Sequence, residues 1–208
     1  MKFGILVFDG VEELDFVGPW DLLKIWSKVA DGPDECLIIA ESSSPITCAR
    51  GLSINPHLSF DDSPTFDYLL VPGGQGTRKE VENSALLEFV ERQGTTCQAV
   101  LSVCTGSFIL HAAGLLSGKQ ATTHWASLDR LRALGDVQVV EERFVEDGQI
   151  WTSAGVSAGM DLMLGFIART SGEEAAAEVQ LSAEYFPSST HYGEFKDHPG
   201  APGYLKHS

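Results

Sequence analysis

Short, mostly apolar runs recur along the chain, and stretches with helical spacing of apolar residues follow three of them. The runs are FGILVF at 3–8, CLIIA at 36–40, FDYLLV at 66–71 and QAVLSV at 98–103. Strands that are buried on both faces are continuously apolar, whereas strands with one face in water alternate between apolar and polar residues. Chains in which such strands alternate with helices form a mostly parallel sheet with helices on both faces. The sequence therefore predicts an α/β fold of this kind.

The rest of the chain completes one predicted domain. Helices are predicted over 17–29, 79–93, from the fourth run to Gly114, within 121–134, and over 156–170 and 173–185. Two strand pairs are predicted, one within 46–60 turning at Arg50–Gly51 and one turning at Asp147–Gly148. We expect a single domain over residues 1–187 and an irregular tail over 188–208, where the sequence is polar and rich in proline and glycine.

The net charge of the chain limits the kinds of partner that it can bind. The 208 residues carry a formal net charge of −15, which repels phosphate backbones and anionic lipids, so we expect no nucleic-acid partner and no membrane contact. No apolar run approaches the roughly 18 residues of a spanning helix, and the first residues lack the pattern of a signal peptide. We therefore expect a cytoplasmic protein.

The four cysteines and six histidines lack metal-ligand spacing. No cysteines are arranged as CxxC, and the histidines form neither HxH nor HExxH. Four cysteines without such spacing in a chain of this length do not predict a disulfide framework. We expect free thiols, no metal and no cofactor.

In parallel sheets ligands bind beyond the carboxyl ends of the strands, and Cys104 directly follows the fourth run. The stretch SVCTG at 102–106 has small residues two positions before and after the cysteine. This pattern is typical of a nucleophile elbow, a sharp turn without room for bulky neighbours. Because the turn leads into a helix, unpaired N–H groups would stabilise a thiolate and raise its reactivity. The alternative is that Cys104 only fills space in the core. Space filling is the role that we expect for the other cysteines, Cys36, Cys48 and Cys97.

An acidic residue follows the first run. Asp15 lies between two apolar residues, just before the helix that Pro19 would begin. One reading is that Asp15 caps that helix. The other is that its apolar neighbours raise the pKa of the carboxyl and leave a protonated acid that can donate to a thiolate. Glu12 and Glu13 are less enclosed, and we expect them to be solvated loop charges.

Two further features lie where such a sheet would bind a ligand. In VPGGQGT at 71–77, the glycines either turn backbone N–H groups toward a ligand or form a simple turn. His124 follows a predicted strand, and it either approaches the cysteine or makes a structural bond to the backbone. His111 lies along the helix after Cys104, so we expect it to be packed or to face the surface.

Together these motifs resemble the ThiJ/PfpI superfamily, flavodoxin-like cysteine proteins related to the class I glutamine amidotransferases. The resemblance spans most of residues 3–186 and rests on FDGVEELDFVGPWDLL, YLLVPGGQGT, LSVCTGSFILHAAGLLSGKQATTHW and TSAGVSAGMDLML. It is greatest to the branch that hydrates isonitriles, and the same motifs occur in the sensor domain of AraC-type regulators. It implies a flavodoxin-like, mostly parallel sheet and a homodimer.

Residue by residue, the resemblance implies that Cys104 is the nucleophile and that Asp15 is the acidic partner of its thiol. The positions that line the oxyanion or substrate site are Gly73, Gly74 and Thr105. His124 falls near the nucleophile in the same family. Two departures narrow the function, because PfpI-type peptidases have a histidine where this chain has Thr105, and AraC-type regulators continue into a DNA-binding domain.

The resemblance therefore implies that the substrate is a small-molecule isonitrile, hydrated to an N-substituted formamide through a thioimidate on Cys104 without a cofactor. A glyoxalase-like reaction on a reactive aldehyde would use the same pair and depend more on His124. A third reading is a sensor whose Cys104 is oxidised to a sulfinate beside Asp15. Three large apolar residues near the first helix are expected to lie either in a dimer interface or in the core: Phe16, Trp20 and Trp26.

Overall fold

The computed structural model describes residues 1–187 and 198–206, and seven of the strands in these residues form one sheet. The strands are β1 Lys2–Leu6, β2 Glu35–Ala40, β3 Ile46–Thr47, β4 Ser53–Ile54, β5 Leu58–Ser59, β6 Tyr68–Val71, β7 Ala99–Val103, β8 Gln120–Ala121, β9 Gln138–Val139, β10 Phe144–Asp147 and β11 Ile150–Ser153. The helices are α1 Glu13–Val29, α2 Thr77–Glu80, α3 Ser84–Gly94, α4 Gly106–Ala112, α5 Leu128–Arg132, α6 Ala158–Ser171, α7 Glu173–Ser182 and α8 Gly203–Lys206, with a short 3-10 helix at Trp125–Ser127.

The sheet is mostly parallel, as the apolar runs predict. Its order is β10-β11-β7-β6-β1-β2-β5, and its neighbours are parallel except for the antiparallel pair of β10 with β11. The four apolar runs are four adjacent strands, β7-β6-β1-β2. Ile5 pairs with Leu70, and Leu70 pairs with Leu101. Because of this register, the turns after β1, β6 and β7 emerge side by side at one edge of the sheet.

Helices flank this sheet, with α1, α6 and α7 packed against one another and α3 packed against α4. Phe166 on α6 has edge-to-face contacts with rings from the strands and from α1, and these partners are Phe3, Trp26, Tyr68 and Trp151. Such contacts add to the hydrophobic gain of burying large rings. Phe16 and Trp26 are buried in this core, whereas Trp20 is half-buried and stacks on His57 with ring centroids 5.6 Å apart. Only Trp20 of the three large residues thus offers surface to a partner.

The first helix begins earlier than predicted. It starts at Glu13, so Asp15 lies in its first turn and Pro19 lies inside it. The close approach of α6 explains this. A Cβ atom on Gly18 would lie 2.8 Å from Cγ of Met160, and one on Gly159 would lie 3.0 Å from Cγ of Pro19. The proline that was expected to begin the helix instead packs its ring against α6, and the helix continues through it without the bond that an N–H at residue 19 would donate to the carbonyl of Asp15.

Three other boundaries differ from expectation. The single helix predicted over 79–93 is two helices, because Oδ1 of Asn83 accepts from the N–H groups of Ala85 (3.2 Å) and Leu86 (3.4 Å) and caps α3. Within 46–60, β3 and β4 form the predicted hairpin, but β5 joins the main sheet beside β2. The tail predicted to be irregular contains α8, while residues 188–197 and 207–208 lie outside the described residues. In the part of the chain that the structure describes, no helix is long and apolar enough to cross a membrane.

Candidate active site

Three segments meet beyond the carboxyl ends of β1, β6 and β7. The start of α1 contacts the glycine turn after β6 through a bridge between Val11 and Gly74, and the N–H of Glu12 donates to the carbonyl of Gly73 at 2.9 Å. Gly73 in turn lies against the turn that holds Cys104. A Cβ atom on Gly73 would lie 2.5 Å from the nitrogen of Thr105 and 2.9 Å from Cβ of Cys104. The structure therefore brings together the acidic stretch, the glycine turn and the cysteine, as the sequence predicts.

Cys104 occupies the sharp turn predicted from its small neighbours. Its φ is +57°, a conformation that non-glycine residues seldom adopt and that persists only when the surroundings enforce it. Its N–H is directed to the carbonyls of Ser153 (3.2 Å) and Ala154 (3.1 Å), and its carbonyl accepts from Oγ1 of Thr123 at 2.8 Å. A Cβ atom on Gly106 would clash with the carbonyl of Val71, which explains the small residue there. The strand neighbours thus hold the turn in place.

Asp15 is fully buried and faces this turn. Its Oδ2 accepts from the N–H of Gly73 at 2.9 Å, whereas its Oδ1 has no hydrogen-bond partner within the described residues. It does not cap α1, because Glu12 occupies the N-cap position. Burial is the largest influence on the carboxyl, and it raises the pKa of Asp15 to about 7 although the Gly73 bond lowers it. Asp15 therefore exchanges its proton near neutral pH.

The Cys104 thiol is also buried, and burial raises its pKa to about 12, followed by the repulsion of a charged Asp15. This differs from the expected stabilisation of a thiolate by a helix N-terminus. The helix α4 begins at Gly106, after the cysteine, and the N–H of Thr105 only partly offsets burial. Protonation of Asp15 removes the repulsion, so each group controls the proton of the other and they titrate as a pair.

The glycine turn explains how the two groups are held. The N–H of Gly73 donates to Asp15, and the N–H of Gly74 donates to Oγ1 of Thr105 at 3.1 Å, while that hydroxyl donates back to the carbonyl of Gly74. Gly74 has φ +126°, which only glycine adopts readily. Contact of Gly73, Gly74 and Thr105 with a substrate remains a prediction. The bonds that the turn makes here position the acid on one side and the residue after the nucleophile on the other.

Val156 is a residue of the site that the sequence analysis missed. Its φ is +54°, which for a β-branched residue is a genuine outlier. The N–H of Val156 faces both Asp15 and Cys104, where it partly offsets the burial that raises the pKa of each group. The Val156 N–H and the thiol act on Asp15 as weak donors, and neither reaches Oδ1 with ordinary geometry. A valine in TSAGVSAG gives no signal of such a turn, because positive φ is usually marked by glycine or asparagine.

Glu12 and Glu13 are not the solvated loop charges that we expected. Oε1 of Glu13 accepts from the N–H groups of Arg50 (2.8 Å) and Leu52 (3.3 Å) and ties the β3–β4 hairpin to α1. The side chain of Glu12 is only 16% exposed, and its Oε1 lies 3.4 Å from Nε of Arg50. The charge of Glu12 adds to the burial that raises the pKa of Asp15, and it partly offsets the burial that lowers the pKa of His124. The residue thus belongs to the electrostatic surroundings of the site.

His124 makes the structural bond to the backbone that one reading predicts, whereas its approach to the cysteine stays a prediction. Its Nδ1 accepts from the N–H of Ala126 at 3.2 Å, so the neutral ring carries its proton on Nε2. The ring lies so close to Gly155 that a Cβ atom there would overlap it, and burial lowers the pKa of His124. His111, in contrast, makes a surface bond to Oδ1 of Asp136 at 2.8 Å, which is the second of the two positions expected for it, packed or facing the surface.

The other cysteines are buried thiols, and burial raises the pKa of each of them, Cys36, Cys48 and Cys97. Within residues 1–187 and 198–206, no three His, Cys, Asp or Glu side chains are grouped so that they could hold a metal ion.

A parallel sheet with a cysteine on a strained turn after a central strand, facing a buried carboxyl, defines a class of flavodoxin-like cysteine proteins. Residues 1–169 match the DJ-1/PfpI family, and the chain belongs to that family.

Individual relatives differ in what they do. Isonitrile hydratase from Pseudomonas putida is 40% identical over 189 residues, which cover 90% of this chain and 80% of the relative. The HTH-type transcriptional regulator CdhR from Pseudomonas aeruginosa is 28% identical over 85% of this chain but only 53% of the regulator. Among solved structures, a THiJ/PfpI family protein from Pseudomonas syringae superposes with a TM-score of 0.86 and 34% identity, covering 95% of this chain and 81% of that one.

Proposed function

We propose that the protein hydrates isonitriles to N-substituted formamides, with Cys104 as nucleophile and Asp15 as the group that moves protons. The identity of 40% with an isonitrile hydratase over most of both chains supports the reaction class. The observation that carries the proposal is the fully buried Asp15, whose Oδ1 is unpartnered in the described part of the chain and whose charge acts directly on the Cys104 thiol.

The first step joins the thiol to the terminal carbon of the isonitrile. With one proton on the pair, the proton rests on Cys104, whose pKa is higher than that of Asp15, and it passes to Asp15 as the thiolate forms. The sulfur adds to the carbon of R–N≡C, and Asp15 delivers its proton to the same carbon. The product is a thioimidate, R–N=CH–S, on Cys104, and Asp15 is left as a carboxylate.

The second step releases the formamide. The Asp15 carboxylate activates a water molecule, whose oxygen adds to the thioimidate carbon. Asp15 passes one water proton to the substrate nitrogen and receives the other when the tetrahedral adduct collapses. The C–S bond breaks, R–NH–CHO departs, and the thiolate and protonated Asp15 are restored. The formamide oxygen and N–H hydrogen therefore come from water, and its C–H hydrogen comes from Asp15.

The test is turnover of a simple alkyl and a simple aryl isonitrile, followed by loss of the isonitrile stretch in the infrared and by chromatography of the formamide. We expect product with the wild type and none with Cys104→Ala. Cys97→Ala is the matched control, because that thiol is also buried with a pKa raised to about 12 but lies before β7 and donates to the carbonyl of Phe66 at 3.2 Å.

Formamide production by Cys104→Ala would contradict the covalent mechanism. No turnover by the wild type with any of several isonitriles would contradict the reaction itself. In that case a reactive aldehyde or peroxide would be the next electrophile to present to the same thiol.

We further propose that the protein acts as a homodimer in the cytoplasm. The half-buried Trp20 on α1 supplies apolar surface for such an interface. Sedimentation equilibrium of the wild type and Trp20→Glu tests the assembly, and fractionation of the source cells tests the location.

A further inference from the structure

A polar network lies directly behind the strained turn at Val156. Nε of Arg143 donates to Oδ2 of Asp161 at 2.6 Å, and Nη2 of the same guanidinium donates to Oγ of Ser157 at 2.8 Å. The remaining oxygen of Asp161 accepts from the hydroxyl of Tyr185 at 3.0 Å. Arg143 therefore links the residue after Val156 to the first turns of α6.

The side chain of Ser157 does not cap the helix α6, although serine at the start of a helix usually does so. It is the N-cap residue of α6, where a serine side chain normally accepts from an N–H group of the first turn. In the described structure its side chain makes no capping bond, and its backbone has helical angles of φ −63° and ψ −18°. The hydroxyl is instead held by Arg143. The Ser157 side chain thus accepts a hydrogen bond from Arg143 and does not cap α6.

We propose that Arg143 is a positioning residue, which holds Ser157 and thereby keeps Val156 in the left-handed conformation that directs its N–H toward Asp15 and Cys104. A β-branched residue does not stay in that conformation without a surrounding constraint. Ser157 is the adjacent residue, and it is fixed by a charged donor that is itself fixed by Asp161. The planar guanidinium donates to Asp161 and Ser157 from fixed directions, which gives the geometric control that this role requires.

Other charged and titratable groups face the two ends of this arrangement. At the reactive end these are Asp15 from α1, Glu12 at its N-cap, Cys104 from the elbow, and His124, whose pKa is lowered by burial and only partly restored by the charge of Glu12. At the other end the guanidinium faces Asp161, Tyr185 and Tyr204; burial raises the pKa of both tyrosines, and the charge of Arg143 partly offsets this. Removal of Arg143 therefore changes no charge adjacent to Cys104, so its effect on the thiol passes through Ser157 and Val156.

The test measures the pH dependence of Cys104 alkylation by iodoacetamide, with the modified peptide followed by mass spectrometry. We expect Arg143→Gln and Ser157→Ala to move the alkylation profile to higher pH by about one unit, so that alkylation slows about tenfold at a fixed pH below the thiol pKa. Arg143→Lys, which can keep one of the two bonds, should fall between them and the wild type. Arg169→Gln is the matched control, since it breaks an ion pair of the same helix with Glu146 away from the site.

An unchanged profile in both Arg143→Gln and Ser157→Ala would overturn the proposal, even if both lower the melting temperature. A shift in Arg143→Gln alone would overturn the route through Ser157. If Arg143→Gln does not fold, Ser157→Ala decides, because it leaves the bond between Arg143 and Asp161 intact.

The kinetic role rests on the proposed function, and there we expect kcat to fall with KM unchanged. Alkylation needs no isonitrile, so a failure of the positioning role and a failure of the hydratase reaction are distinguishable.

Discussion

Two regions of the molecule each bury a cysteine near an aspartate, and they differ in the aspartate. Cys97 and Cys104 both have a pKa raised to about 12, chiefly by burial, with a nearby aspartate as the next cause. Near Cys97, Asp67 is only half-buried, and its two oxygens accept from the backbone of Lys2 and the side chain of Gln98.

Near Cys104, Asp15 is fully buried, and one of its oxygens has no partner among the described residues. Burial of a thiol is therefore common to both regions and does not distinguish a site from a core. The two regions differ in the acid, because the pKa of Asp15 is raised to about 7 and this carboxyl can gain or lose a proton near neutral pH.

The change that most directly removes this difference is Asp15→Asn, since it leaves Cys104 without an acid. Asn can still accept from Gly73 but cannot donate a proton to carbon, so we expect isonitrile turnover to fall by about 10²–10⁴-fold. Alkylation of Cys104 should persist, because the charge that raises its pKa is gone. Asp67→Asn is the matched control, and a comparable loss of turnover in that variant would erase the contrast between the two regions.

The pH dependence of kcat/KM sharpens the comparison next. Below a pH of about 7 the Asp15–Cys104 pair holds two protons, and the reactive form holds one. We therefore expect kcat/KM to rise about tenfold per pH unit up to about pH 7, and then to level off. Steady-state rates measured between pH 5 and 9 provide the check. A flat profile across pH 7 would mean that Asp15 does not control the reaction.

Stability should respond to Asp15 in the opposite sense. The folded-state pKa of Asp15 is raised above its usual 3.8 to about 7, so the folded state binds this proton more tightly than the unfolded state does. Its contribution to stability is complete below pH 4 and is lost as the pH rises through 7. We expect Asp15→Asn to be more stable than the wild type by about 4 kcal/mol at pH 8, with no gain at pH 4. Denaturant unfolding at the two pH values measures this, and an equal effect at both would contradict the assignment.

The smallest effect concerns Glu12, whose charge raises the pKa of Asp15. Glu12→Gln should move the acid limb of the kcat/KM profile to lower pH by a few tenths of a unit, as expected for a partly screened neighbour. Arg50→Gln breaks the same ion pair but keeps the Glu12 charge, so it should not move the limb downward. Equal shifts in the two variants would assign the effect to the hairpin and not to charge.

Sequence reasoning reached the parts of the site that have a local signature. Small residues around Cys104 predict its turn, and an acid between apolar neighbours predicts the raised pKa of Asp15. The predicted start of α1 was wrong because Pro19 packs inside the helix against α6, which is distant in sequence. The prediction that Glu13 is a solvated charge was wrong because its hydrogen-bond partners come from a hairpin more than thirty residues away. Val156 carried no local signal, since its conformation is imposed by the packing and bonds around the start of α6.

The glycine turn after β6 also has a consequence for how the chain matures. Asp15, Gly73, Cys104 and Val156 come from four separate segments, and the parallel pairing of β6 with β1 and β7 is what brings the first three together. During synthesis Asp15 emerges from the ribosome first, and Val156 emerges well after Cys104. Until residue 156 has folded onto the others, Cys104 is an ordinary cysteine exposed to cellular oxidants. On the mechanism that we propose, Cys104 therefore acquires its chemistry only in the finished native state, and a nascent or partly unfolded chain would not turn over an isonitrile.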